Sequence, residues 1–474
     1  MEFQLETLGN CEIIKDKAGN KYFVTVLNDV QRVVPIPSED LSDTIRLILS
    51  DKGESLSKQK ISSITEELRA LALQVEDEEE VNLRYTMRND CLYINRGKGD
   101  RQIKILKKKK NGIKCVKGRK IKFRSSKYIG ELDYRHRLKG DFSLFWKYAP
   151  ILNENDQLLL LAIMVNACFP NNEYPVLLII GGPGSGKTTL TEIILEVIDP
   201  TIFGVSAPLT SVEDIKLAAV HRHMPAFDNN GGVFSPAIQN MLCQSSTGGK
   251  SNSRKYFTNN DAIVVDLRKS TIINSLQSPL SQDDLLSRTI HLQLKPLTIA
   301  DYTKAGGKTN FKSRFKEDLP KILKGFYEIL HKVFVLMDEV KNPDTLFRLG
   351  DFTRVGIALE QVLRYEKGRF IKAYGNNLKH GSASIIEDSD LAQAVISLAR
   401  KLREAKTYLL TEFITALKGY SNPPNSISGN SRRFKTELSR VEKALFELHG
   451  IKISHLGKTN AGVQVMITPS RKKS

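Results

Sequence analysis

One stretch constrains the fold more than any other. Val176 to Leu190 reads Val-Leu-Leu-Ile-Ile-Gly-Gly-Pro-Gly-Ser-Gly-Lys-Thr-Thr-Leu. The apolar run Val176 to Ile180 is short and rich in β-branched residues, which fits a fully buried parallel strand rather than a helix. Gly181 to Thr188 then satisfies the phosphate-loop pattern G-x-x-x-x-G-K-[ST] at every defined position, and a helical sequence follows from Thr189. Gly181, Gly182, Gly184 and Gly186, with Pro183 and Ser185 between them, let backbone N–H groups curl around a triphosphate. Lys187 is spaced to reach the β and γ phosphates, and the Thr188 hydroxyl is placed to ligate Mg²⁺. The stretch predicts an α/β nucleotide-binding core taking ATP and Mg²⁺.

The remainder has to be compatible with that core. At 474 residues and 41% hydrophobic content the chain has room for two to four domains. A formal charge of +18 points to a polyanionic partner, with nucleic acid the first candidate. Cys11, Cys91, Cys115, Cys168 and Cys243 form no C-x-x-C knuckle and no dense disulfide framework, so a reduced, cytoplasmic setting is expected. No apolar stretch reaches about 18 residues, and Met1-Glu2-Phe3-Gln4 lacks the character of a signal peptide, so no membrane association is expected.

Residues 1–139 read as an α+β module. Lys21 to Val26 alternates, Asn28-Asp29 suits a turn, and Gln31 to Ile36 closes a hairpin. Helical spacing follows over Ser38 to Leu49 and Ser57 to Val75, with Ile61, Ile64, Leu68, Leu71 and Val75 on one face. Strands are expected at Val81 to Tyr85, Cys91 to Asn95 and Gln102 to Leu106. Between Arg96 and Lys127 stand fifteen Lys or Arg against one acid, Asp100, which accounts for most of the +18. Interrupting glycines and β-formers favour a hairpin over a disordered tail. Lys107, Lys108, Lys109 and Lys110 are the candidate phosphate contacts; a solvated basic face is the alternative. Tyr128 to Lys139 reads as a linker.

Residues 140–297 contain the core. Phe142 to Pro170 reads as a largely buried helix leading into the phosphate-loop strand. Ser211 to Asp214 offers a capping box. His221 and His223 have i,i+2 spacing without nearby Cys or carboxylate ligands, and read as structural. Met224 to Asn230 resembles a second strand whose Asp228 could hold Mg²⁺ through water, and Asn229 stands where a water-polarising glutamate is usual. Ser246 to Asn260 reads as an exposed loop or hairpin in which Lys250, Arg254 and Lys255 could touch a phosphate backbone, with Tyr256 or Phe257 stacking on a base or anchoring the hairpin in the core. Asn274 ends a third strand beside the γ phosphate, and Arg288 follows where a neighbouring subunit's nucleotide could use it.

Residues 298–420 turn helical, with Leu319 to Met337 and Phe352 to Glu366 the firmest segments, Lys367 to Asn377 a loop or short helix, and Asp388 to Leu417 long helices. Arg348 and Arg354 are candidates for a second nucleotide sensor. After Asn422-Pro423-Pro424, residues 421–474 give a helix, Ser431 to His449, with Phe434, Leu438, Val441, Leu445 and Leu448 on one face. Two short strands then flank a glycine-bearing turn. Helix then hairpin is the order of a winged helix, in which Arg432, Arg433 and Lys458 are candidate DNA contacts; a winged domain that binds protein, or is purely structural, is the alternative.

These spacings together resemble the AAA+ replicative helicases of mobile genetic elements, a group similar to the superfamily-three and minichromosome-maintenance helicases and found as the ATPase half of phage-type primase-helicases. The resemblance rests on Gly181 to Thr188, Phe227-Asp228-Asn229, Ser246 to Gly249 with Arg254 and Tyr256, Asn274, Leu286 to Arg288 and Asp351-Phe352. It implies an AAA+ P-loop ATPase core with a helical lid, an N-terminal α+β module and a C-terminal winged-helix domain. It also implies a homo-hexameric ring on single-stranded or forked DNA, with Lys187 and Thr188 as phosphate and Mg²⁺ ligands and Asp228 as the second acidic motif. Asn274 is implied as first sensor, Arg288 as a finger acting in trans, and Lys250, Arg254 and Lys255 as the pore hairpin. No primase signature precedes the core, so a separate primase or polymerase is the expected partner. A DNA-binding origin-recognition or loader ATPase that does not unwind is the competing reading.

Overall fold

The computed structural model describes residues 8–54, 57–97, 101–108, 112–118, 120–149, 153–248, 266–304, 310–341, 347–387, 389–421, 427–459 and 462–470. The chain begins with an antiparallel meander, β1 (Cys11–Lys15), β2 (Lys21–Leu27) and β3 (Val30–Pro35). Asn28 and Asp29 both take left-handed φ, 49° and 64°, as a two-residue primed hairpin turn requires. α1 (Glu39–Asp51) and α2 (Lys58–Leu73) start where Ser38 and Ser57 accept hydrogen bonds from Leu41 N and Lys60 N. Phe23, Val34, Leu41, Ile45, Ile61 and Leu68 close a small core beneath them. Val75 falls beyond the end of α2 and does not extend its buried face.

The basic region forms β4 (Val81–Asn82), β5 (Tyr85–Arg88), β6 (Cys91–Asn95), β7 (Arg101–Leu106), β8 (Ile113–Lys117) and β9 (Lys122–Phe123). β5 to β8 make one antiparallel sheet in sequence order, while β4 pairs in parallel with β9. The single strand expected over Val81 to Tyr85 is thus two. Between them Arg84 turns fully into the interior, where Nε donates to Asp199 Oδ1 at 3.0 Å and Nη2 to Pro200 O at 2.9 Å. The segment read as a linker is also tied down: Leu132 and Tyr134 are buried, and Gly130 N donates to Pro200 O.

A 3₁₀ turn at Phe142–Leu144 and α3 (Phe145–Tyr148) precede α4 (Glu154–Ala167), which is buried on every side from Leu158 onward. The central layer comprises β10 (Val176–Gly181), α5 (Lys187–Ile198), α6 (Val212–His221), β11 (Ala226–Asn230), α7 (Pro236–Thr247), β12 (Ile272–Ser275), α8 (Asp283–Leu286) and β13 (Thr289–Leu294). Its four strands are parallel in the order β11-β12-β10-β13. Because successive side chains of a strand face opposite ways, Leu177 and Ile179 join the core containing α4 and α5, while Val176, Leu178 and Ile180 join the one containing α6 and α7. Burial on both faces is what a parallel sheet demands, and it explains why β10 is apolar throughout. The strands on either side of β10 both come from far along the chain, so its C-terminal end is a topological switch point, where α/β proteins hold ligands.

α9 (Ile299–Lys304), α10 (Phe311–Leu336), α11 (Gly350–Val362), α12 (Arg369–Glu387) and α13 (Asp390–Lys401) follow. α10 starts well before Leu319 and keeps Pro320 inside it. Lys367 to Asn377, expected as a loop or short helix, is mostly the start of the longer α12, because the buried Glu360 carboxylate accepts from Gly368 N and Phe370 N and so satisfies the open N-terminus of that helix.

The final unit comprises β14 (Lys406–Leu409), α14 (Leu410–Lys418), α15 (Ser431–His449), β15 (Lys452–Thr459) and β16 (Gly462–Thr468). β14 interrupts the long helices expected over Asp388 to Leu417 and pairs antiparallel with β16, giving a sheet in the order β14-β16-β15. Its core draws in Leu391, Val395 and Phe413, so it begins well before the Asn422-Pro423-Pro424 boundary. Leu448 is exposed rather than on the buried face of α15. No helix among the described residues is long and apolar enough to cross a membrane.

Candidate functional site

At the C-terminal ends of the parallel strands lies a cleft of about 490 Å³, lined by Pro183 to Thr189 on one side and by Asn229, Asn230, Gly231, Ser275 and Leu276 on the other. Gly184 and Gly186 adopt left-handed φ, 74° and 81°, which is how the loop turns out of β10 and into α5. Gly186 occupies the N-cap of α5 without a side chain to cap it, so the first N–H groups of the helix stay open toward the cleft.

Lys187 Nζ lies within the loop, donating to Gly181 O at 2.7 Å and Gly182 O at 3.1 Å. Burial holds this ammonium below the ordinary lysine range, with nearby Asp228 acting the other way. Thr188 Oγ1 donates to Asp228 Oδ2 at 2.6 Å, joining two groups 40 positions apart. Asp228 owes its orientation to an irregularity: the β11–β12 register shifts between Phe227 and Asn230, and Asn229 within the shift takes φ 53°. A bulge at a strand end re-aims side chains, here turning Asp228 and the exposed Asn229 outward.

Asn274 is fully buried, and its Oδ1 accepts from Thr191 Oγ1 at 2.9 Å while Nδ2 has no partner. Ser185 Oγ is likewise buried without one. Buried polar groups are nearly always bonded, so two orphan atoms around one cleft mark positions fitted to a ligand. The open helix N-terminus, the lysine, the hydroxyl–carboxylate pair and these orphans together form a donor and acceptor set that fits a nucleoside triphosphate with a divalent cation.

Two residues of this site escaped the sequence reading. Buried Asn230 binds three backbone groups: Oδ1 accepts from Leu209 N at 2.7 Å, and Nδ2 donates to Phe227 O at 3.0 Å and Asn274 O at 3.1 Å. It locks the ends of β11 and β12 together behind the bulge. Thr191, one turn into α5, orients Asn274. The Asp-Asn-Asn run was the available signal for Asn230; Thr191 carries none outside the fold.

Arg288 lies elsewhere. It precedes β13, whose Thr289 pairs with Val176, so it sits at the opposite end of the sheet, about 20 Å from the phosphate loop at roughly 3.3 Å per residue. Its guanidinium is engaged throughout: Nε donates to Asp284 O at 3.1 Å, Nη1 to Thr247 Oγ1 at 2.7 Å and Nη2 to Asp284 Oδ1 at 3.1 Å. Arg348 pairs with the same Asp284, and Arg354 donates to Met337 O at 2.8 Å and Val340 O at 3.3 Å behind α10. Neither lines the cleft, so the expectation of a second sensor on this chain's own nucleotide is not met by their placement.

The basic candidates divide similarly. Lys107 is largely covered, donating to Asp338 at 2.6 Å with Nζ 5.0 Å from the Phe334 ring, so it holds the sheet to α10 rather than facing a partner. Lys108 is 83% exposed. Lys109, Lys110, Lys250, Arg254 and Lys255 lie outside the described residues. Ser246 and Thr247, read as the start of a loop or hairpin, instead close α7, which ends on left-handed Gly248. Arg432 and Arg433 are exposed in the first turn of α15, Arg433 donating to Glu437 at 2.9 Å. Lys458 stands on β15, its side chain outside the described residues. His223 is structural in placement, half-buried with Nε2 2.6 Å from Ala167 O.

Residues 145–378 match the family model for the replication protein of actinomycete integrative conjugative elements. The matched span runs from α3 to α12 and contains the whole cleft. Among curated proteins nothing matches the chain. Similar solved structures include the active helicase Cch of SCCmec type IV, 13% identical over 97% of this chain and 93% of that one, with a TM-score of 0.43. The A-form apo structure of the NrS-1 C-terminal region is 10% identical over 97% of both chains, with a TM-score of 0.41. The X-ray structure of the JCV helicase is 14% identical over 51% of this chain and 64% of that one, at 0.27.

Proposed function

We propose that the chain is an ATP-dependent DNA helicase that replicates a mobile or plasmid-like element, working as a ring of identical subunits. The observation that carries the reading is the 2.6 Å contact between Thr188 and Asp228 beneath the open end of α5, with Lys187 and the orphan amide of Asn274 beside it. Lys187 would hold the terminal phosphates, and Thr188 and Asp228 would hold Mg²⁺, which when bound neutralises charge on the transferring phosphoryl group. Asn274, steadied by Thr191, would present Nδ2 toward the terminal phosphate. Asn229 can orient a water through its amide but cannot take its proton, because an amide is not a base at neutral pH.

The ring reading rests on where Arg288 lies. Arg288, which the sequence pattern suits to completing such a site, is at the far end of the sheet from this chain's own cleft, so it would serve a neighbour's. The parallel order β11-β12-β10-β13 supports an AAA+ core, and the match of residues 145–378 to a replication-protein family supports the replicative role. α14, α15 and the β14-β16-β15 sheet support a winged helix. Two arginines in the first turn of α15 oppose the helix dipole, an arrangement that an anionic partner such as DNA would relieve.

A test follows directly. Single-stranded DNA is expected to raise ATP turnover several-fold, and a forked duplex is expected to be unwound by the wild type and not by Lys187→Ala. Turnover indifferent to DNA, together with an intact fork, would instead favour an origin-binding or loading switch.

A further inference from the structure

The sheet β5-β6-β7-β8 has two faces of opposite character. One face, Leu92, Ile94, Ile103, Ile105 and Ile113, is buried in the main core. The register places Thr86 opposite Tyr93, Tyr93 opposite Lys104 and Lys104 opposite Lys114, so these form a single row across all four strands on the other face. Arg88 lies one pair along on the same face. The strands carry no acid at all. Lysines directly opposite on one face repel and destabilise a sheet, and no carboxylate within it offsets them. Lys104 Nζ sits 5.1 Å from the centre of the Tyr93 ring, while Lys114 and Arg88 are exposed.

Along the same face the next row, Asn95 and Gln102, opens into a cleft of about 350 Å³ between this sheet and the β1–β3 meander. Arg32, Arg124, Ser126 and Lys127 line it, with Asp40 and Asp43 of α1 on the far wall. Gln102 is only 6% exposed. Its Nε2 donates to Gly118 O and Ile121 O at 3.1 Å each, which fixes the amide, and its Oε1 has no partner. Arg32 Nε is also buried without one.

We infer that this face is a track for single-stranded nucleic acid. Tyr93 is its stacking platform, Arg88, Lys104 and Lys114 are its phosphate contacts, and the cleft takes a base whose exocyclic amine donates to Gln102 Oε1. A tyrosine among lysines suits unpaired bases, because stacking needs a base face that a duplex conceals. This adds the Tyr93 row to the candidate contacts of the lysine run at 107–110, whose first member is spent on Asp338. The inference deepens the helicase reading and rests on it only for the identity of the strand.

The test is equilibrium binding of labelled oligo-dC, oligo-dT and a blunt duplex to the full chain without nucleotide, across a salt series. Tyr93→Ala is expected to weaken single-strand binding about tenfold and duplex binding less than twofold. Lys104→Ala with Lys114→Ala should lower the single-strand salt slope by about 1.4. Thymine lacks an exocyclic amine, so the wild type should prefer oligo-dC over oligo-dT several-fold, and Gln102→Met should erase that preference. Melting temperatures check that each variant folds, and the wild-type dC against dT comparison needs no variant. Unchanged single-strand binding in Tyr93→Ala, or equal loss on single strand and duplex, overturns the track; equal binding of dC and dT overturns the role of Gln102. Tyr93-dependent binding by a protein that unwinds nothing would sink the helicase reading and leave the track standing.

Discussion

Two polar networks at opposite ends of the central sheet are completed in opposite ways. At the C-terminal ends of the strands, Asn274 Nδ2 and Ser185 Oγ are buried with no partner, and the N-terminus of α5 is uncapped. At the other end each nitrogen of Arg288 is bonded, and Asp199 accepts from Arg84 Nε, His223 N and Met224 N. A saturated network holds an architecture together; an unsaturated one is completed by something that arrives. The saturated end still contains the residue proposed to act on a neighbour, so Arg288 would exchange Thr247 and Asp284 for phosphate when subunits meet.

The largest effect should come from breaking that division of labour. Arg288→Ala is expected to lower DNA-stimulated ATP turnover about 10³-fold, the range typical of an arginine finger, with the fold intact. Mixing Arg288→Ala with Lys187→Ala subunits should restore part of the rate, since some interfaces then join an intact loop to an intact arginine. No recovery at any mixing ratio would place Arg288 on the structural side of the comparison.

A smaller effect sharpens the unsaturated end. Thr191→Val keeps the shape of α5 but removes the hydroxyl that orients Asn274, and about a tenfold fall in turnover with little change in ATP affinity is expected. A fall in affinity alone would show that Thr191 merely packs.

The smallest effect is one of stability and concerns His223, beside the Asp199 network, and His291 within β13. Burial lowers His223 to about 4, against an opposing pull from Asp199, and burial lowers His291 to about 4. Both groups take up protons more readily unfolded than folded, so their stabilising contribution is complete above the ordinary histidine value near 6.5 and is lost as pH falls toward about 4. Asp199 works lower still: burial raises it, but Arg84, His223 and the Met224 N–H more than offset this and hold it below the usual carboxylate range, so its contribution fades as pH drops through that range. Urea midpoints should therefore decline steadily from pH 6.5 to 4.5, and a flat profile would mean that neither histidine is neutral in the fold.

Local pattern carried much of this protein. The left-handed glycines of the phosphate loop, the Asn28-Asp29 turn, the Ser211–Asp214 capping box and the all-apolar β10 are each decided within a few residues by φ, hydrogen-bond reach or side-chain alternation. That is why the loop of the proposed nucleotide site was legible in the sequence. What tertiary structure alone decided are the pairings across long separations. Thr188 meets Asp228 because a bulge redirects β11; Asn230 and Thr191 matter because β11, β12 and α5 converge there. Among fifteen similar basic residues, nothing local distinguishes Lys107, which Asp338 takes, from Lys104 and Lys114, which the sheet register sets side by side beside Tyr93. Charge and spacing determine what a segment can bind, but register and packing decide which side chains remain free to do so.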